Sequence, residues 1–477
     1  MKTFYIETVG CQMNVLDTEL ATAELVFQGF DRANDKKEAD IILFNTCSVR
    51  EHAEEKVYSA LGRLKHWKES KPDGILGVMG CMAQKDQRKI FRRAPHVDIV
   101  LGPGQLDRLP DLIHQVCAHR HQELAVSLDR SGPRHPTEIR ESFRQYDPKR
   151  LLEARESRFQ AMVRIMFGCN KFCSYCIVPS VRGPEQSRPA KDIVREIQKL
   201  ADQGCVDITL IGQTVNSYRD QEGERTVLLP ELLERIDNIP EIRRVRFVSS
   251  YPTGMSNELL QAVRDLPSAV PYIHVPAQHG ADSVLQRMKR MYTAAEYRDL
   301  ADRIYEIIPG AAITSDFIVG FCGETEEEFE QTADLIRYCR FKNSFIFKYS
   351  VRQGTRSAKL FEDDVPEEVK KRRNNDLLAV QDLISTEQNQ KKIGEIVEIL
   401  VEGPSKTQLK KEDSDVLLPN GTLKIVESPK NADLQLSGRT PDDRIVVFNG
   451  DPSLVGTFQK LKITEAGPFT LFGERNW

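Results

Sequence analysis

The chain begins with apolar, β-rich runs that alternate with helical patterns of apolar and polar residues. In order, these are a strand at Thr3 to Val9, a helix at Leu16 to Phe27, a strand at Ile41 to Asn45, a helix at Glu51 to Trp67 and a strand at Gly74 to Met79. Strands separated by helices are typical of βαβ units. The N-terminal part is therefore predicted to be an α/β domain built on a parallel sheet.

Each of these three strands is followed by a cysteine, at Cys11, Cys47 and Cys81. The separations are 47 − 11 = 36 and 81 − 47 = 34 residues, near one βα unit each. Because the carboxyl ends of parallel strands share one edge of the sheet, the three thiols are expected to converge there. Three cysteines that each follow one of three successive strands favour a 4Fe–4S cluster, in which three protein ligands leave one iron open. The alternative is that cysteine is merely a common small residue at a strand end.

A second domain is predicted from about Phe159, where strand candidates are separated by helical stretches such as Ile193 to Gln203, Leu228 to Asp237 and Glu326 to Cys339. The strand candidates are Met162 to Phe167, Val206 to Ile211, Val245 to Ser249, Tyr272 to Val275, Ala312 to Val319 and Phe345 to Ser350. Six βα units predict a partial (βα)6 barrel with a carboxyl mouth wide enough to admit a macromolecule.

Polar residues follow several of the barrel strands. Ligands bind at the carboxyl ends of barrel strands. The candidates for binding a cofactor and substrate are therefore Gln213, Asn216, Ser250, Gln278 and Asp316. Turns at strand ends also collect polar residues, which is the alternative interpretation of any one of them.

Cys169, Cys173 and Cys176 lie within eight residues and have Cys-x3-Cys-x2-Cys spacing. Three thiolates on one short loop can bind three irons of a 4Fe–4S cluster and leave the fourth iron open to an outside molecule. A zinc site is one alternative, but zinc normally takes a fourth Cys or His, and none follows before Cys205. Burial as small apolar residues is another alternative, although it does not explain three cysteines so close together.

After Ser350 the sequence predicts a long polar helix that reaches Lys392 and carries the basic run Lys370-Lys371-Arg372-Arg373, interpreted as a solvated helix face. Beyond this helix, short β segments with turn signals predict a small all-β barrel. The segments are Glu395 to Glu402, Val416 to Leu418, Thr422 to Val426, Asp443 to Phe448 and Gly456 to Thr464.

Composition narrows the possible partners. The 477 residues carry a net charge of −4, so the overall charge does not predict nucleic-acid binding. No apolar run approaches the ~20 residues that span a bilayer, and no signal-peptide pattern is present, so a cytoplasmic protein without membrane contact is expected. In that compartment the ten cysteines are expected to be ligands or free thiols. Nothing in the sequence demands a dimer, and a monomer is expected.

Several motifs carry family resemblances. The Cys-x3-Cys-x2-Cys loop resembles the radical S-adenosylmethionine (SAM) superfamily, in which SAM chelates the free iron. The strings Gly10-Cys11-Gln12-Met13-Asn14, Asn45-Thr46-Cys47-Ser48-Val49-Arg50-Glu51 and Gly80-Cys81-Met82-Ala83-Gln84 look like the methylthiotransferase family and its MiaB branch. Finally, Val401-Glu402-Gly403-Pro404-Ser405-Lys406 and Gly438-Arg439-Thr440 resemble the TRAM domain, an RNA-binding β-barrel.

The resemblance implies a domain organisation. Its parts are an N-terminal methylthiotransferase domain that binds the second cluster (1–130), a linker (131–158), a radical SAM domain (159–390) and a TRAM-like barrel (391–477). Charges from Lys391 to Trp477 count as 12 basic and 13 acidic, so RNA binding by the barrel depends on placed side chains.

The resemblance also implies site residues. The six cysteines of the two sets are the cluster ligands and catalytic residues, Tyr175 is in the place of the superfamily's aromatic residue near the SAM adenine, and the candidate RNA contacts are Lys406, Arg439 and Arg444. Two positions depart from the family pattern. Cys322 stands where proline is usual and is interpreted as a small turn residue, and Thr214 stands where the MiaB branch usually has asparagine. Thr325 and Glu328 are predicted to form a helix capping box.

The activity that the resemblance implies is the addition of a methylthio group to C2 of N6-isopentenyladenosine at tRNA position 37, beside the anticodon. Two 4Fe–4S clusters and SAM would be the cofactors. The implied partners are the tRNA anticodon stem-loop, an electron donor such as flavodoxin or ferredoxin, and a sulfur source. Two alternatives remain open: a methylthiotransferase for threonylcarbamoyl-adenosine tRNA or a ribosomal-protein aspartate, and a non-catalytic iron–sulfur redox or RNA-binding protein.

Overall fold

A computed structural model gives the architecture of residues 2–48, 51–126, 150–412 and 434–475. These residues form a parallel-sheet α/β part, a central part with two three-stranded parallel sheets, and a closed five-stranded barrel. This is the architecture that the sequence predicts. No helix in the described residues is both long enough and apolar enough to cross a membrane.

The N-terminal part is a six-stranded parallel sheet with the order β2-β1-β3-β4-β5-β6. Its strands are β1 (Thr3–Val9), β2 (Asp31–Arg32), β3 (Ile41–Thr46), β4 (Ile75–Gly80), β5 (Ile99–Leu101) and β6 (Glu123–Ala125). Every residue of β3 and β4 is buried. Burial on both faces explains why these two strands read as continuous apolar runs.

Helices cover both faces of this sheet. They are α1 (Gln12–Phe27), α2 (Glu51–Arg63), α3 (Lys65–Ser70), α4 (Cys81–Asp86), α5 (Arg88–Arg93) and α6 (Leu109–His119). Leu16 and Leu20 of α1 pack in one apolar core, and Val57 and Leu61 of α2 pack in another. The predicted unbroken helix from Glu51 to Trp67 is wrong in its extent, because the structure divides it into α2 and α3.

All six strands predicted for the central part are present. They are β7 (Gln160–Arg164), β10 (Asp207–Ile211), β13 (Arg244–Phe247), β14 (Tyr272–His274), β15 (Ala312–Val319) and β16 (Asn343–Lys348). The two parallel sheets adjoin at β13 and β14, where the backbone N–H of Ser250 donates to the His274 carbonyl at 3.4 Å. No pairing joins β7 to β16 among the described strands, so the barrel is open.

Four short strands and nine α-helices complete the central part among the residues that the structure describes. The strands are β8 (Met166–Phe167), β9 (Gln186–Ser187), β11 (Arg219–Glu222) and β12 (Arg225–Leu228). The helices are α7 (Val178–Arg182), α8 (Ala190–Asp202), α9 (Leu229–Asp237), α10 (Asn257–Asp265), α11 (Asp282–Arg287), α12 (Ala294–Ile307), α13 (Glu326–Cys339), α14 (Arg356–Leu360) and α15 (Glu367–Gln390). The predicted capping box of α13 is confirmed, because Thr325 and Glu328 each accept the other's backbone N–H.

The basic run on α15 is not the solvated face that the sequence predicts. Lys370 and Arg373 are only 3% and 4% exposed. Lys370 pairs with Asp363 at 2.5 Å, and Arg373 donates to the Glu324 carbonyl at 3.1 Å. Half of the run therefore packs against the barrel, since buried charges are tolerated when they are paired.

The C-terminal part is a closed barrel in the order β17-β18-β19-β21-β20. Its elements are β17 (Ile396–Pro404), α16 (Lys406–Glu412), β18 (Leu434–Arg439), β19 (Ile445–Gly450), β20 (Phe458–Ala466) and β21 (Thr470–Glu474). The sequence did not predict β18 and β21. The strands predicted at 416–418 and 422–426 lie outside the described residues.

The first described residue after the 127–149 gap packs against both neighbouring parts. Arg150 is 9% exposed and contacts Glu19 of α1 at 2.8 Å and Glu196 of α8 at 3.0 Å. Residues 131–149 of the predicted linker lie outside the described residues, and Arg150 in its remaining part is packed.

Candidate active site

Three thiols lie at the carboxyl edge of the N-terminal sheet, and we call Cys11, Cys47 and Cys81 the sheet thiol set. Cys11 is the residue before α1, Cys47 follows β3, and Cys81 opens α4 directly after β4. The strands β1, β3 and β4 are neighbours and parallel. The convergence expected from the spacing is therefore present in the structure.

Two buried asparagines organise this edge. The Asn14 side-chain amide donates to Asn45 Oδ1 at 2.8 Å, and the Asn45 amide donates to the Asn14 carbonyl at 2.8 Å. Gly80 has φ +91°, and a Cβ there would stand 2.4 Å from Asn45 Oδ1. Only glycine both adopts this backbone conformation easily and leaves room for the asparagine pair beside Cys81.

The sheet thiol set has a buried cation beside it. A hydrogen bond with Cys47 lowers the pKa of Cys11 to about 6, against the effect of burial. Burial raises the pKa of Cys81, and the charge of Arg182 opposes that rise. Arg182 Nε lies 3.3 Å from Cys81 Sγ, and its guanidinium also donates to Asp17 at 2.7 Å. A cation in this place favours the thiolate, which is the form that binds metal.

The second set of thiols, which we call the loop thiol set, comprises Cys169, Cys173 and Cys176 on the loop after β8. The backbone N–H of Cys169 donates to the Gly183 carbonyl at 3.1 Å, and that of Cys176 donates to the Cys173 carbonyl at 3.1 Å. A Cβ on Gly168 would stand 2.0 Å from the Pro184 carbonyl oxygen, so the loop closes on the following segment through a glycine. All three residues are partly exposed.

Two side chains from elsewhere contact the loop thiol set. The Thr214 hydroxyl lies 3.3 Å from Cys169 Sγ, and the Arg290 guanidinium donates to Cys173 Sγ at 3.4 Å. Burial and the charge of Cys173 raise the pKa of Cys176 to about 12. Thr214 departs from the family pattern, and its hydroxyl still faces a cysteine.

One short helix connects the two thiol sets. Helix α7 begins two residues after Cys176, and Ile177 and Val181 pack against Cys81 of the other set. Its last residue, Arg182, forms the buried pair with Asp17 of α1. The domain interface therefore fixes the two thiol sets relative to each other.

The predicted cofactor residues fall into two groups. Gln213 Oε1 and Ser250 Oγ are buried and have no hydrogen-bond partner among the described residues. Asn216, by contrast, holds the backbone of Tyr251 through two hydrogen bonds of 2.7 and 2.8 Å. Gln213 Oε1 and Ser250 Oγ are therefore available to hydrogen-bond a bound molecule, whereas the Asn216 side chain is already bonded to the backbone of Tyr251.

The other candidates lie on the opposite sheet of the barrel. Gln278 has φ +69°, and its backbone N–H donates to the Asp316 carbonyl at 2.8 Å. The Asp316 carboxylate lies 3.7 Å from His274 Nε2. Tyr175 is partly buried against an apolar cluster that contains Cys322 and Tyr349. The buried position of Cys322 agrees with its interpretation as a structural turn residue.

A cavity of about 930 Å³ adjoins the loop thiol set. Asn170, Lys171, Asn216 and Gly254 are among the residues that line it. In the described residues, no three His, Cys, Asp or Glu side chains are arranged to hold a single metal ion.

The three candidate RNA contacts differ in exposure. Lys406 is exposed at the start of α16. Arg439 is partly buried and pairs with Asp443 at 3.0 Å and Glu402 at 3.3 Å. Arg444 is 8% exposed and donates to Asp442 and Gln388. Of the three, Lys406 has an exposed charge, Arg439 pairs with carboxylates of the same barrel, and Arg444 joins the barrel to Gln388 of α15.

Sequence reasoning missed the charged residues next to the thiols. Arg182, Arg290 and Asp17 lie in no motif that was recognised. A signal existed for Arg182, which follows Cys176 by six residues. Asp17 and Arg290 meet the cysteines only through tertiary contacts, and no local pattern distinguishes them.

Comparison with known proteins divides the chain in the same way. The model of the Uncharacterized protein family UPF0004 matches residues 3–102, that of the Radical SAM superfamily matches 163–336, and that of the TRAM domain matches 425–475. Over nearly its whole length the chain is 52% identical to the tRNA-2-methylthio-N(6)-dimethylallyladenosine synthase of Rhodopirellula baltica, covering 99% of this chain and 95% of that protein. The chain belongs to the tRNA-2-methylthio-N(6)-dimethylallyladenosine synthase family.

Other similarities agree with that membership. The synthase of Delftia acidovorans is 42% identical and covers 99% of this chain and 98% of its own length. A solved radical SAM methyltransferase, TsrM from Kitasatospora setae, has the same fold with a TM-score of 0.51 and 14% identity, covering 75% of this chain and 74% of that chain. The family assignment rests on the full-length relatives, and the solved structure supports the fold.

Proposed function

We propose that this chain adds a methylthio group to C2 of N6-isopentenyladenosine at position 37 of tRNA. The observation that carries the proposal is the pair of three-thiol sets, which helix α7 joins across one buried interface. Full-length relatives named for this synthase activity support the substrate. An enzyme that inserts sulfur into an aromatic C–H bond needs cofactor chemistry that side chains lack.

The residues present fit two iron–sulfur clusters. Each set has three cysteines, which leaves one iron of a 4Fe–4S cluster open, and each has a buried arginine that donates to a cysteine sulfur. We assign one cluster to Cys11, Cys47 and Cys81 and the other, with SAM, to Cys169, Cys173 and Cys176. When bound, these groups supply the one-electron chemistry, the sulfur and the methyl group.

The chain itself supplies orientation and electrostatics. Gln213 Oε1 and Ser250 Oγ are unpaired polar atoms that fit hydrogen bonds with SAM, because buried polar groups normally find partners. Asn216 fixes the backbone of Tyr251 beside them. The Arg182 and Arg290 guanidinium groups place positive charge beside Cys81 and Cys173. Gln278, Asp316 and Tyr175 remain proposed contacts of SAM or substrate.

The proposed partners follow from this chemistry. The tRNA anticodon stem-loop presents an unpaired adenosine, and Lys406 of the barrel is the RNA contact with an exposed charge. A low-potential electron donor such as flavodoxin or ferredoxin and a sulfur source are required for turnover. We propose that the chain acts as a monomer in the cytoplasm, where tRNA is available.

The first test is iron and sulfide content with Mössbauer spectra of anaerobically reconstituted protein. Wild type is expected to hold about eight irons, and the Cys169/Cys173/Cys176 triple alanine variant about four, since each cluster has ~4. Cys173→Ala is expected to abolish SAM cleavage, whereas Cys47→Ala retains cleavage and loses methylthio transfer. About four irons in wild type and none in the triple variant would overturn the assignment of a cluster to the sheet thiol set.

Substrate choice needs a separate assay. Anticodon stem-loop RNA with and without the isopentenyl group is incubated with the reconstituted enzyme, and the modified nucleoside is measured by mass spectrometry. We expect modification of the prenylated RNA alone. Equal modification of both RNAs would contradict the proposed substrate while leaving the clusters in place.

A further inference from the structure

Two large apolar side chains are exposed next to the loop thiol set. Phe172 immediately precedes Cys173 and is 54% exposed, and Met291 follows Arg290 and is 72% exposed. Large apolar groups at the entrance of a polar site often mark a binding surface. These two come from separate segments, and hydrogen bonds hold the segments together.

The backbone contacts that join the segments are short. The Ser174 N–H donates to the Met288 carbonyl at 2.9 Å, and the Ser174 hydroxyl donates to the Arg287 carbonyl at 2.7 Å. Arg290 adds its contact with Cys173 Sγ at 3.4 Å. Phe172 is therefore presented on a fixed loop rather than on a loose one.

Both segments contain a non-glycine residue in the left-handed backbone region. Phe172 has φ +50° and Lys289 has φ +56°. This conformation is costly for a bulky side chain and persists where the surroundings impose it, commonly at ligand sites. The two strained residues face each other, with Lys289 Nζ 5.8 Å from the centre of the Phe172 ring.

Two lysines lie over aromatic rings in this region. Lys289 lies near Phe172, and Lys171 Nζ lies 4.9 Å from the centre of the Tyr251 ring. Tyr251 is anchored by the Met291 N–H, which donates to its hydroxyl at 3.0 Å. Glu185 is an acidic group close to Lys171, whose charge opposes the effect of burial on the Glu185 pKa. An exposed aromatic ring with one lysine over it and a second lysine in the neighbouring position of the chain suits a flat base attached to phosphates.

We propose that Phe172, Met291 and Lys289 form a shelf on which an unpaired RNA base beside the target adenosine stacks, while Lys171 and Lys289 face its phosphates. This inference rests on the proposed function, because it takes RNA as the substrate. Single-stranded RNA is recognised by stacking on aromatic side chains together with cationic contacts to the backbone. The shelf would hold the flanking base while the target base enters the barrel.

The test measures binding of anticodon stem-loop RNA to the reconstituted holoenzyme by fluorescence anisotropy, with 2-aminopurine placed next to the target adenosine. Phe172→Ala is expected to weaken binding roughly tenfold and to reduce 2-aminopurine quenching, since one base–aromatic stack is worth about that much. Phe172→Trp is expected to retain both signals, and Phe172→Leu to lose the quenching. Phe27→Ala is the matched control, because Phe27 is 57% exposed and lies on α1.

Phe172→Ala could lose iron because Phe172 lies in the cysteine loop. Two variants outside that loop therefore test the shelf independently. Lys289→Gln is expected to weaken binding and to reduce the slope of log K against log salt by about 0.7, the value for one phosphate contact on a single strand. Met291→Ala is expected to reduce quenching. Unchanged quenching and salt slope in both variants would overturn the shelf.

Prenylated and unprenylated RNA together distinguish base stacking from contact with the prenyl group. The same loss of binding for both RNAs supports base stacking, whereas a loss confined to prenylated RNA would make Phe172 a contact of the prenyl group and overturn the proposal. If wild type binds and modifies RNA and Phe172→Ala binds it equally well, the shelf is overturned and the proposed function stands. Absence of modification by wild type removes the proposed function instead.

Discussion

At the scale of single residues, Arg182 has an unusual set of neighbours. It is 2% exposed and lies on α7 of the central part, where it contacts Cys81 and forms an ion pair with Asp17, both of the N-terminal part. Burial alone would lower the pKa of Arg182, but the charges of Asp17 and Cys81 raise it. The guanidinium therefore remains charged where a cluster on the sheet thiol set would add negative charge.

That charge is expected to set the reduction potential of the cluster on the sheet thiol set. A nearby cation favours the reduced, more negative state, so Arg182→Met should lower the potential by on the order of 60 mV, or tenfold for one electron. Arg182→Lys retains the charge and should lower it less. The potential is measured by EPR-monitored redox titration in the Cys169/Cys173/Cys176 triple alanine background. Equal potentials in the methionine and lysine variants would show that the charge of Arg182 has no such role.

At the scale of elements, α13 shows how a local sequence signal becomes part of a larger contact. Glu328 caps the first turn of the helix, and its carboxylate also accepts from Arg287 of α11 at 2.8 Å. Despite burial, these hydrogen bonds lower the pKa of Glu328 to about 2. The capping box thus joins two neighbouring helices of the barrel.

Thr325→Ala is expected to destabilise the first turn of α13 by about 1 kcal/mol, because Thr325 Oγ1 no longer accepts the Glu328 N–H. Hydrogen exchange of the amides at 326–328 should accelerate about fivefold. Thr293→Ala is the matched control, since Thr293 forms the same box with Glu296 at the start of α12. Faster exchange in α13 of the Thr293→Ala variant would contradict a local effect.

At the scale of the whole molecule, a cluster of charges attaches the C-terminal barrel to the central part. The Asp443 carboxylate lies 3.3 Å from Lys342, 3.0 Å from Arg439 and 3.7 Å from Arg246. Arg244 donates to the Arg439 carbonyl at 2.7 Å. Burial raises the pKa of Asp443, but the lysine and arginine charges outweigh it and lower the pKa overall. One carboxylate therefore contacts cations of both the central part and the C-terminal barrel.

Asp443→Ala is expected to cost about 1–3 kcal/mol, because Lys342 loses its carboxylate partner while Arg439 retains Glu402 and Arg246 retains Asp207. Calorimetry is expected to show a lower melting temperature for this variant. Asp265→Ala is the control, since Asp265 forms an exposed pair with Arg264, and such pairs contribute little to stability. Equal melting temperatures for the two variants would show that Asp443 does not hold the barrel.

The pH dependence of this contact follows from the lowered pKa of Asp443. A carboxyl whose folded pKa is depressed stabilises the fold above its unfolded pKa, near 4. That stability is lost as the pH falls through the lower folded value. Wild type is therefore expected to lose stability on acidification in this range, and Asp443→Ala to lose less.

The sequence by itself determined the parallel sheet, the six barrel strands and the grouping of the cysteines. These features depend on local periodicity and on strand ends, which a single chain reveals: Cys11, Cys47 and Cys81 each follow an apolar strand, and parallel strands place their carboxyl ends together. The α13 capping box was predictable for the same reason, because Thr325 and Glu328 are three residues apart.

The tertiary structure alone decided which distant charges meet the thiols and which basic residues are buried. Asp17 and Arg182 are 165 residues apart, and Lys370 and Arg373 read as a solvated face until their acidic partners are located. Local sequence does not encode these meetings, because the stability of a buried charge depends on a partner brought in by folding. The same holds for the loop that carries Phe172, because Ser174 donates to the carbonyls of Arg287 and Met288, which are distant in sequence.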